Sequence, residues 1–203
     1  MSKSNELSKS YTIEELAHAL YLACEENNVY KGTDKTKWRE IVTADKLNHE
    51  VFERISAGKD SGKYGADAFD PSTKNNAEYK SQAIEEKEIR NLCENKQPNG
   101  KRYSSLTVRG VYNGAYTQEA INSYCENDHY FSVFHKELCT LIIKVDREVV
   151  REQLTNGLLK MLEKQSQGKK VTTNCNSVSV KLSDTSKYEI CYRNNQWFEE
   201  HTC

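Results

Sequence analysis

The residues whose types and spacing could do chemistry lie close together, on two predicted strands joined by a turn. The second strand, residues 77–83, alternates so that Glu78, Lys80 and Gln82 project from one face. A hairpin brings Asp67, on the first strand, beside Glu78. Two carboxylates close together repel each other unless a cation lies between them, and Mg²⁺ prefers oxygen ligands. The pattern therefore predicts a metal site made by Asp67 and Glu78.

Lys80 adds a third group that phosphodiester hydrolysis needs. A metal ion neutralises charge on the scissile phosphate and acidifies the attacking water, while a nearby cation stabilises the pentavalent transition state or orients the water. We therefore expect Asp67, Glu78 and Lys80 to be catalytic, with Mg²⁺ as the cofactor and Mn²⁺ as its substitute.

The segment resembles the PD-(D/E)xK nuclease superfamily, whose type II restriction endonucleases place an aspartate on one strand and Glu-x-Lys or Asp-x-Lys on the next. In that family the two acids hold the metal and the lysine assists the water, which assigns those roles to Asp67, Glu78 and Lys80. The resemblance implies a restriction-endonuclease-like core and cleavage of double-stranded DNA at a short specific site. It also implies a homodimer, because a two-fold protein presents one active site to each strand.

The sequence departs from the family at its proline-aspartate dipeptide, since Pro71 follows Asp70 here. Either Asp67 or Asp70 could therefore be the metal ligand. Asp67 is preferred because it leaves room for a turn and a strand pair before Glu78, whereas Asp70 lies at the lip of the turn. Glu53, on a predicted helix that precedes the first catalytic strand, and Gln82 are further possible accessory residues.

Basic and amide side chains in two regions could contact DNA. One region is a glycine-rich basic loop before Asp67, and the other surrounds the strand predicted at residues 104–112, where charges alternate with aromatic residues as suits phosphate and base-edge contacts. The candidate DNA-binding residues are Lys59, Lys63, Lys101, Arg102, Arg109 and Asn113.

Two other interpretations stay open. A repair or junction-resolving nuclease would use the same metal site but recognise DNA shape. A non-catalytic DNA-binding or interaction module would carry Glu78 and Lys80 only as a surface pair. His129 and His135 have no zinc or histidine-nuclease pattern around them and are interpreted as structural or solvated. Gly110 and Gly114 do not have the spacing of a phosphate-binding loop and are interpreted as turn residues.

The elements that must position these residues are predicted from apolar periodicity and turn signals. They indicate an α/β fold with a central mixed β-sheet flanked by helices, in a single nuclease domain over residues 11–203 after a flexible stretch at 1–10. Helices are expected at 12–27, after Asp34, after Asp45, at 84–94, at 117–124 and from Asp146. Strands are expected at 64–70, 77–83, 104–112, 130–134 and 138–145, and a closing hairpin at 178–182 and 188–192 near Trp197.

Composition bounds the protein only loosely. The 203 residues have a formal net charge of -1, so the chain lacks the overall basicity of many nucleic-acid binders, and any basic cleft must be local. The seven cysteines contain no CxxC pair, and no leader or membrane-spanning run is recognisable. We therefore expect a cytoplasmic protein with no membrane association and with cysteines that serve as small core residues.

Overall fold

A computed structural model describes residues 11–26, 35–51, 66–93, 95–96, 102–169 and 176–201. The helices are α1 (Ile13–Glu26), α2 (Lys35–Leu47), α3 (Glu86–Leu92), α4 (Gln118–Tyr124), α5 (Arg147–Ser166) and α6 (Asn195–His201). The strands are β1 (Glu50–Val51), β2 (Ala68–Asp70), β3 (Asn75–Ile84), β4 (Asn95–Lys96), β5 (Arg102–Tyr103), β6 (Thr107–Tyr112), β7 (Asp128–His135), β8 (Leu138–Val145), β9 (Asn176–Lys181) and β10 (Tyr188–Arg193).

The main sheet has six strands in the order β1-β2-β3-β7-β8-β10. Strands β3 and β7 run parallel, and every other neighbouring pair in this sheet is antiparallel. Two small sheets, β4 with β5 and β6 with β9, complete the strands. The predicted α/β class with a mixed sheet flanked by helices is therefore confirmed.

Both faces of the main sheet are covered, which explains why β7 is buried along its whole length. On one face, α2 contributes Val42 and Ala44 to a cluster with Tyr79 and Tyr130. On the other face, β6, β9 and helices α3 to α6 build the larger core around Phe131. Alternate side chains of β3 therefore enter two different packing environments.

Most predicted elements are confirmed, with small shifts at their ends. The helix α4 begins after Thr117, whose side chain accepts a hydrogen bond from the Ala120 N–H (3.1 Å). The helix α5 begins after Asp146, whose carboxylate accepts from the Glu148 N–H (2.8 Å). Both caps satisfy backbone donors that the first turn of a helix leaves unpaired.

The prediction of a separate helix after Asp45 is wrong. Asp45 lies inside α2, which ends at Leu47, and Asn48 follows with a left-handed backbone (φ 56°). The chain then enters β1 at Glu50, which pairs with Phe69 of β2. A helix and a short edge strand can carry similar apolar spacing, so the spacing of Leu47 and Val51 did not distinguish them.

The predicted closing hairpin is also wrong. Strand β9 pairs with β6, and β10 pairs with β8 in the main sheet, so the two strands belong to different sheets. Trp197 lies in α6 rather than beside a hairpin. Alternation identified both strands, but only long-range packing selects a strand's partner.

Of the two glycines predicted to lie in turns, Gly114 does so, with a left-handed backbone (φ 86°), whereas Gly110 is inside a strand. Gly110 lies in β6, paired with Val178.

The cysteines also depart from expectation at one position. Cys93, Cys125 and Cys139 are buried, as core residues are, whereas Cys191 on the edge strand β10 is exposed.

Within the described ranges, none of the helices combines the length and apolar character needed to cross a bilayer.

Candidate active site

Glu78 and Lys80 lie on one face of β3, as strand alternation predicted, and this face packs against β6. The Lys80 ammonium is 4.7 Å from the centre of the Tyr112 ring in β6, and its Nζ atom donates to Glu78 Oε1 at 2.5 Å. Tyr79, between them, points to the opposite face and contacts His49 through its hydroxyl (2.8 Å). The structure therefore brings the predicted acid and the predicted lysine into direct contact.

The Glu78 carboxylate is removed from solvent. Its side chain is 6% exposed and that of Lys80 is 16% exposed. Burial raises the pKa of Glu78 to about 7, against the opposing effect of the Lys80 ammonium and with a further contribution from the Asp67 carboxylate. Glu78 Oε2 has no hydrogen-bond partner among the residues that the structure describes. Burying a carboxylate oxygen without a hydrogen-bond partner costs free energy unless a cation or a substrate group interacts with it.

Asp67 lies beside Glu78, immediately before the β2–β3 ladder begins at the Ala68–Ala77 pair. Its backbone N–H donates to the Ala77 carbonyl (2.9 Å), and its Oδ2 accepts from the Tyr79 backbone N–H (2.8 Å). The carboxylate thus pairs with a backbone N–H of β3 that lies beyond the β2–β3 ladder. The negative charge of Asp67 therefore lies near Glu78 and contributes to the raised pKa of that residue.

Asp70, the alternative ligand, is occupied by the turn that follows it. Its Oδ1 accepts from the backbone N–H (2.8 Å) and hydroxyl (2.6 Å) of Ser72, and its Oδ2 accepts from the Thr73 hydroxyl (2.7 Å). Burial alone would raise the pKa of Asp70, but these hydrogen bonds hold it well below its usual value. Asp70 also pairs with Asn75, three residues from Glu78 along β3. The geometry favours Asp67 as the partner of Glu78.

A third acid, Glu40, was missed by the sequence analysis. It lies in α2, is 7% exposed, and is close enough that its charge adds to the raised pKa of both Glu78 and Tyr79. The sequence placed the accessory acid later, at Glu53, which lies outside the described residues. One available signal was the position of Glu40 between Arg39 and the apolar pair Ile41 and Val42, on a helix expected to pack against the sheet.

The other accessory and DNA-binding candidates are distributed as follows. Gln82 shares the Lys80 face, but its Oε1 accepts from the backbone N–H of Arg109 (2.9 Å) and so joins β3 to β6. The Arg109 side chain is exposed on the outer face of β6. Asn113 is exposed, and its carbonyl accepts from the Tyr124 hydroxyl (2.7 Å). Arg102 lies in β5, and Lys59, Lys63 and Lys101 lie outside the described residues.

The two histidines are buried, in keeping with a structural interpretation. His135 Nδ1 accepts from the Trp197 indole N–H (3.1 Å). His129 is fully buried and its Nδ1 is 2.9 Å from the Tyr112 hydroxyl. Burial lowers the pKa of His129 to about 3, so its ring is neutral near pH 7. His129 is also the register partner of Glu78 on the parallel strand β7, which places it next to the site.

The site can be tested against a divalent ion by its donor set. Among the described residues, no group of three or more His, Cys, Asp or Glu side chains is arranged to hold a metal ion. Mg²⁺ commonly needs only one or two carboxylates, because it retains several waters and takes further oxygens from substrate phosphates. The adjacent Asp67 and Glu78, with the unpaired Oε2 of Glu78, fit that kind of site.

Comparison with known proteins adds no relative: no protein-family model matches the chain, and no curated protein matches it significantly. The site must therefore be interpreted from its own chemistry.

Proposed function

We propose that the protein is a Mg²⁺-dependent endonuclease that hydrolyses phosphodiester bonds of double-stranded DNA, with a restriction-endonuclease-like core. The observation that carries the proposal is the buried Glu78 carboxylate, which has Lys80 on Oε1, an unpaired Oε2 and the Asp67 charge beside it. An acid with a perturbed pKa, in contact with a lysine and next to a second acid, is typical of functional sites.

Asp67 and Glu78 would hold the divalent ion. When bound, such an ion supplies neutralising charge to the scissile phosphate and lowers the pKa of water. The repulsion between the two carboxylates supports this role, because a cation between them relieves it. Glu40 adds negative charge from the helix side and would strengthen the attraction for a cation.

Lys80 would act on the phosphate or the attacking water. Its ammonium lies next to Glu78 and can donate a hydrogen bond to a phosphate oxygen, where negative charge grows in the pentavalent transition state. Hydrolysis adds water across one P–O bond, leaving a 3′-hydroxyl on one fragment and a 5′-phosphate on the other. The ammonium stabilises this charge without itself gaining or losing a proton.

The finer features of the proposal rest on the family resemblance and on the sequence. The protein would cut a short specific site as a type II restriction enzyme and act as a homodimer. Its scattered cysteines suit the reducing cytoplasm. Arg109 and Asn113, exposed at β6 and just after it, are two of the candidates for contacts with DNA.

The test is incubation of the purified protein with supercoiled plasmid DNA in Mg²⁺ or EDTA, beside the Glu78→Gln and Lys80→Ala variants. We expect discrete fragments in Mg²⁺ only, and losses of at least about 100-fold in both variants. Product mapping on linear and branched DNA separates a restriction enzyme from a junction-resolving one. Full activity in both variants would show that Glu78 and Lys80 are not the catalytic site. DNA binding without cleavage by the wild-type protein would indicate a non-catalytic module.

The chain supplies its own matched control. Glu85 and Lys87 form a second Glu-x-Lys triplet with a 2.7 Å ion pair, but their side chains are 73% and 77% exposed. The Glu85→Gln and Lys87→Ala variants make the same chemical changes in solvent. Both should cleave at the wild-type rate, so a loss confined to Glu78 and Lys80 reports on the buried site.

A further inference from the structure

Strand β6 makes an unusually close approach to the Lys80 side chain. A Cβ atom added at Gly110 would lie 2.7 Å from Lys80 Cγ and 3.0 Å from its Cβ, both closer than ordinary contact. The same atom would lie 2.7 Å from Cζ of Phe131, which is fully buried. Only glycine therefore allows the β6 backbone to lie against the aliphatic stem of Lys80.

Two residues further along β6, Tyr112 contacts the other end of the same lysine. Its ring centre lies 4.7 Å from Lys80 Nζ, and its side chain is fully buried. The face of an aromatic ring attracts an ammonium, most strongly where water is excluded. Gly110 and Tyr112, on the same side of β6, thus contact the stem and the charged end of Lys80 respectively.

The Tyr112 ring is itself held from two sides. Its hydroxyl lies 2.9 Å from Nδ1 of the fully buried His129, and its ring packs edge-on against that of Tyr124 at a centre distance of 5.2 Å. Tyr124 donates to the Asn113 carbonyl (2.7 Å), which ties the end of β6 to α4. The orientation of the ring is therefore set before any substrate arrives.

We propose that Gly110, Tyr112 and His129 form a clamp that positions the ammonium of Lys80 beside Glu78. Gly110 restricts the stem, Tyr112 holds the ammonium over its ring, and His129 orients Tyr112. All three are positioning residues. The clamp rests on the proposed function only in assuming that Lys80 acts on the substrate, since its effect on Lys80 can be measured without DNA.

The alternative is that these residues only fill the core, in which case their loss would change stability without changing the environment of Lys80. Two measurements separate the two ideas. The first uses the wild-type chain: the Tyr112 ring current should move the Lys80 Hε resonances upfield of those of Lys87, which is exposed. Equal Hε shifts for Lys80 and Lys87 would overturn the clamp.

The second measurement is the rate of acetylation of Lys80 by a soluble amine-reactive reagent, quantified by mass spectrometry relative to Lys87 in the same sample. In Tyr112→Leu the rate should rise about threefold to fivefold, as expected for loss of a buried cation–π contact. In Tyr112→Phe, which keeps the ring but removes the hydroxyl that contacts His129, the rate should rise less than in Tyr112→Leu. An unchanged rate in Tyr112→Leu would overturn the clamp, even if that variant were less stable.

Cleavage kinetics then connect the clamp to the reaction. Tyr112→Leu should lower kcat by about tenfold with little change in KM, because a misplaced ammonium affects the transition state more than DNA binding. A change in KM alone, with kcat unaltered, would contradict the positioning role. If the wild-type protein does not cleave DNA while Lys80 still responds to Tyr112→Leu, the nuclease proposal fails and the clamp stands.

Discussion

Asp67 Oδ2 accepts a hydrogen bond from the backbone N–H of Tyr79 at 2.8 Å. A side chain therefore pairs with β3 at a position that the backbone of β2 does not reach. The contact links Asp67 to the residue that directly follows Glu78, although Asp67 lies twelve residues before Tyr79 in the chain. It makes the position of the first acid depend on the backbone of the strand that carries the second.

The two aspartates near the turn should behave differently when each is changed to asparagine. Asp67→Asn keeps an oxygen that can accept from Tyr79 but removes the charge, so we expect cleavage to fall at least about 100-fold with little loss of stability. Asp70→Asn removes an acceptor for Thr73 and should cost about 1–2 kcal/mol of unfolding free energy while cleavage is retained. Urea unfolding and plasmid cleavage measure the two effects. Full activity in Asp67→Asn would make Asp70 the better ligand.

The raised pKa of Glu78 predicts how its contribution to stability changes with pH. The folded-state pKa of about 7 lies above 4.5, the ordinary pKa of a glutamate side chain, so between these values the folded protein binds more protons than the unfolded chain. The contribution of Glu78 is fully present below pH 4.5 and is lost as the pH rises through 7. Glu78→Gln, which does not titrate, should therefore gain roughly 2–3 kcal/mol relative to wild type between pH 4.5 and 8.

Urea unfolding of both proteins in EDTA at pH 4.5, 6 and 8 measures this difference. Glu85→Gln is the matched control and should show no comparable gain, because Glu85 is exposed. A constant difference between Glu78→Gln and wild type across these pH values would contradict a buried, strained carboxylate.

The helix that carries Glu40 is anchored by a buried ion pair. Arg39 donates to both carboxylate oxygens of Glu137 (2.8 and 2.6 Å) in the β7–β8 turn, and the two side chains are 12% and 9% exposed. Removing one partner leaves the other charge buried, so Arg39→Ala should lower the unfolding free energy by about 3–5 kcal/mol. Arg151→Ala, which breaks an exposed pair with Glu148, should lower the unfolding free energy far less than Arg39→Ala does. Similar losses in the two variants, measured by urea unfolding, would show that the buried pair has no special role.

Arg109 provides a test of the proposed DNA contact. It is exposed on β6, one residue before the glycine that packs on Lys80. If Arg109 contacts a phosphate, Arg109→Ala should weaken binding of duplex DNA and reduce the salt slope of log K by about 1. Fluorescence anisotropy in EDTA at several salt concentrations measures both, with exposed Lys160 on α5 as the control position for Lys160→Ala. An unchanged salt slope in Arg109→Ala would show that Arg109 does not contact DNA phosphates.

Local pattern was sufficient for the strand and its two faces. A period of two assigns Glu78 and Lys80 to one side of β3 and Tyr79 to the other, whatever packs against the strand. The turn residues between Asp70 and Asn75 likewise indicated the hairpin. Patterns of this kind depend on neighbouring residues, so they can be interpreted without knowledge of the fold.

The same local pattern could not show which triplet is buried. Glu-x-Lys occurs three times in the sequence, at Glu78, Glu85 and Glu94. The triplet at Glu85 forms an ion pair as the first does, but in solvent. What distinguishes Glu78 is that β6, from a later part of the chain, covers its face of the sheet and removes water from the carboxylate.

The sequence by itself determined that Asp67, Glu78 and Lys80 could meet on adjacent strands, because hairpin pairing and strand alternation are short-range rules. Only the tertiary structure decided that Asp70 serves the turn, that Glu40 lies close enough to affect the pKa of Glu78, and that Gly110 and Tyr112 contact Lys80. Each of these depends on segments far apart in the chain. Their contact is set by the packing of the whole core, which no local spacing encodes.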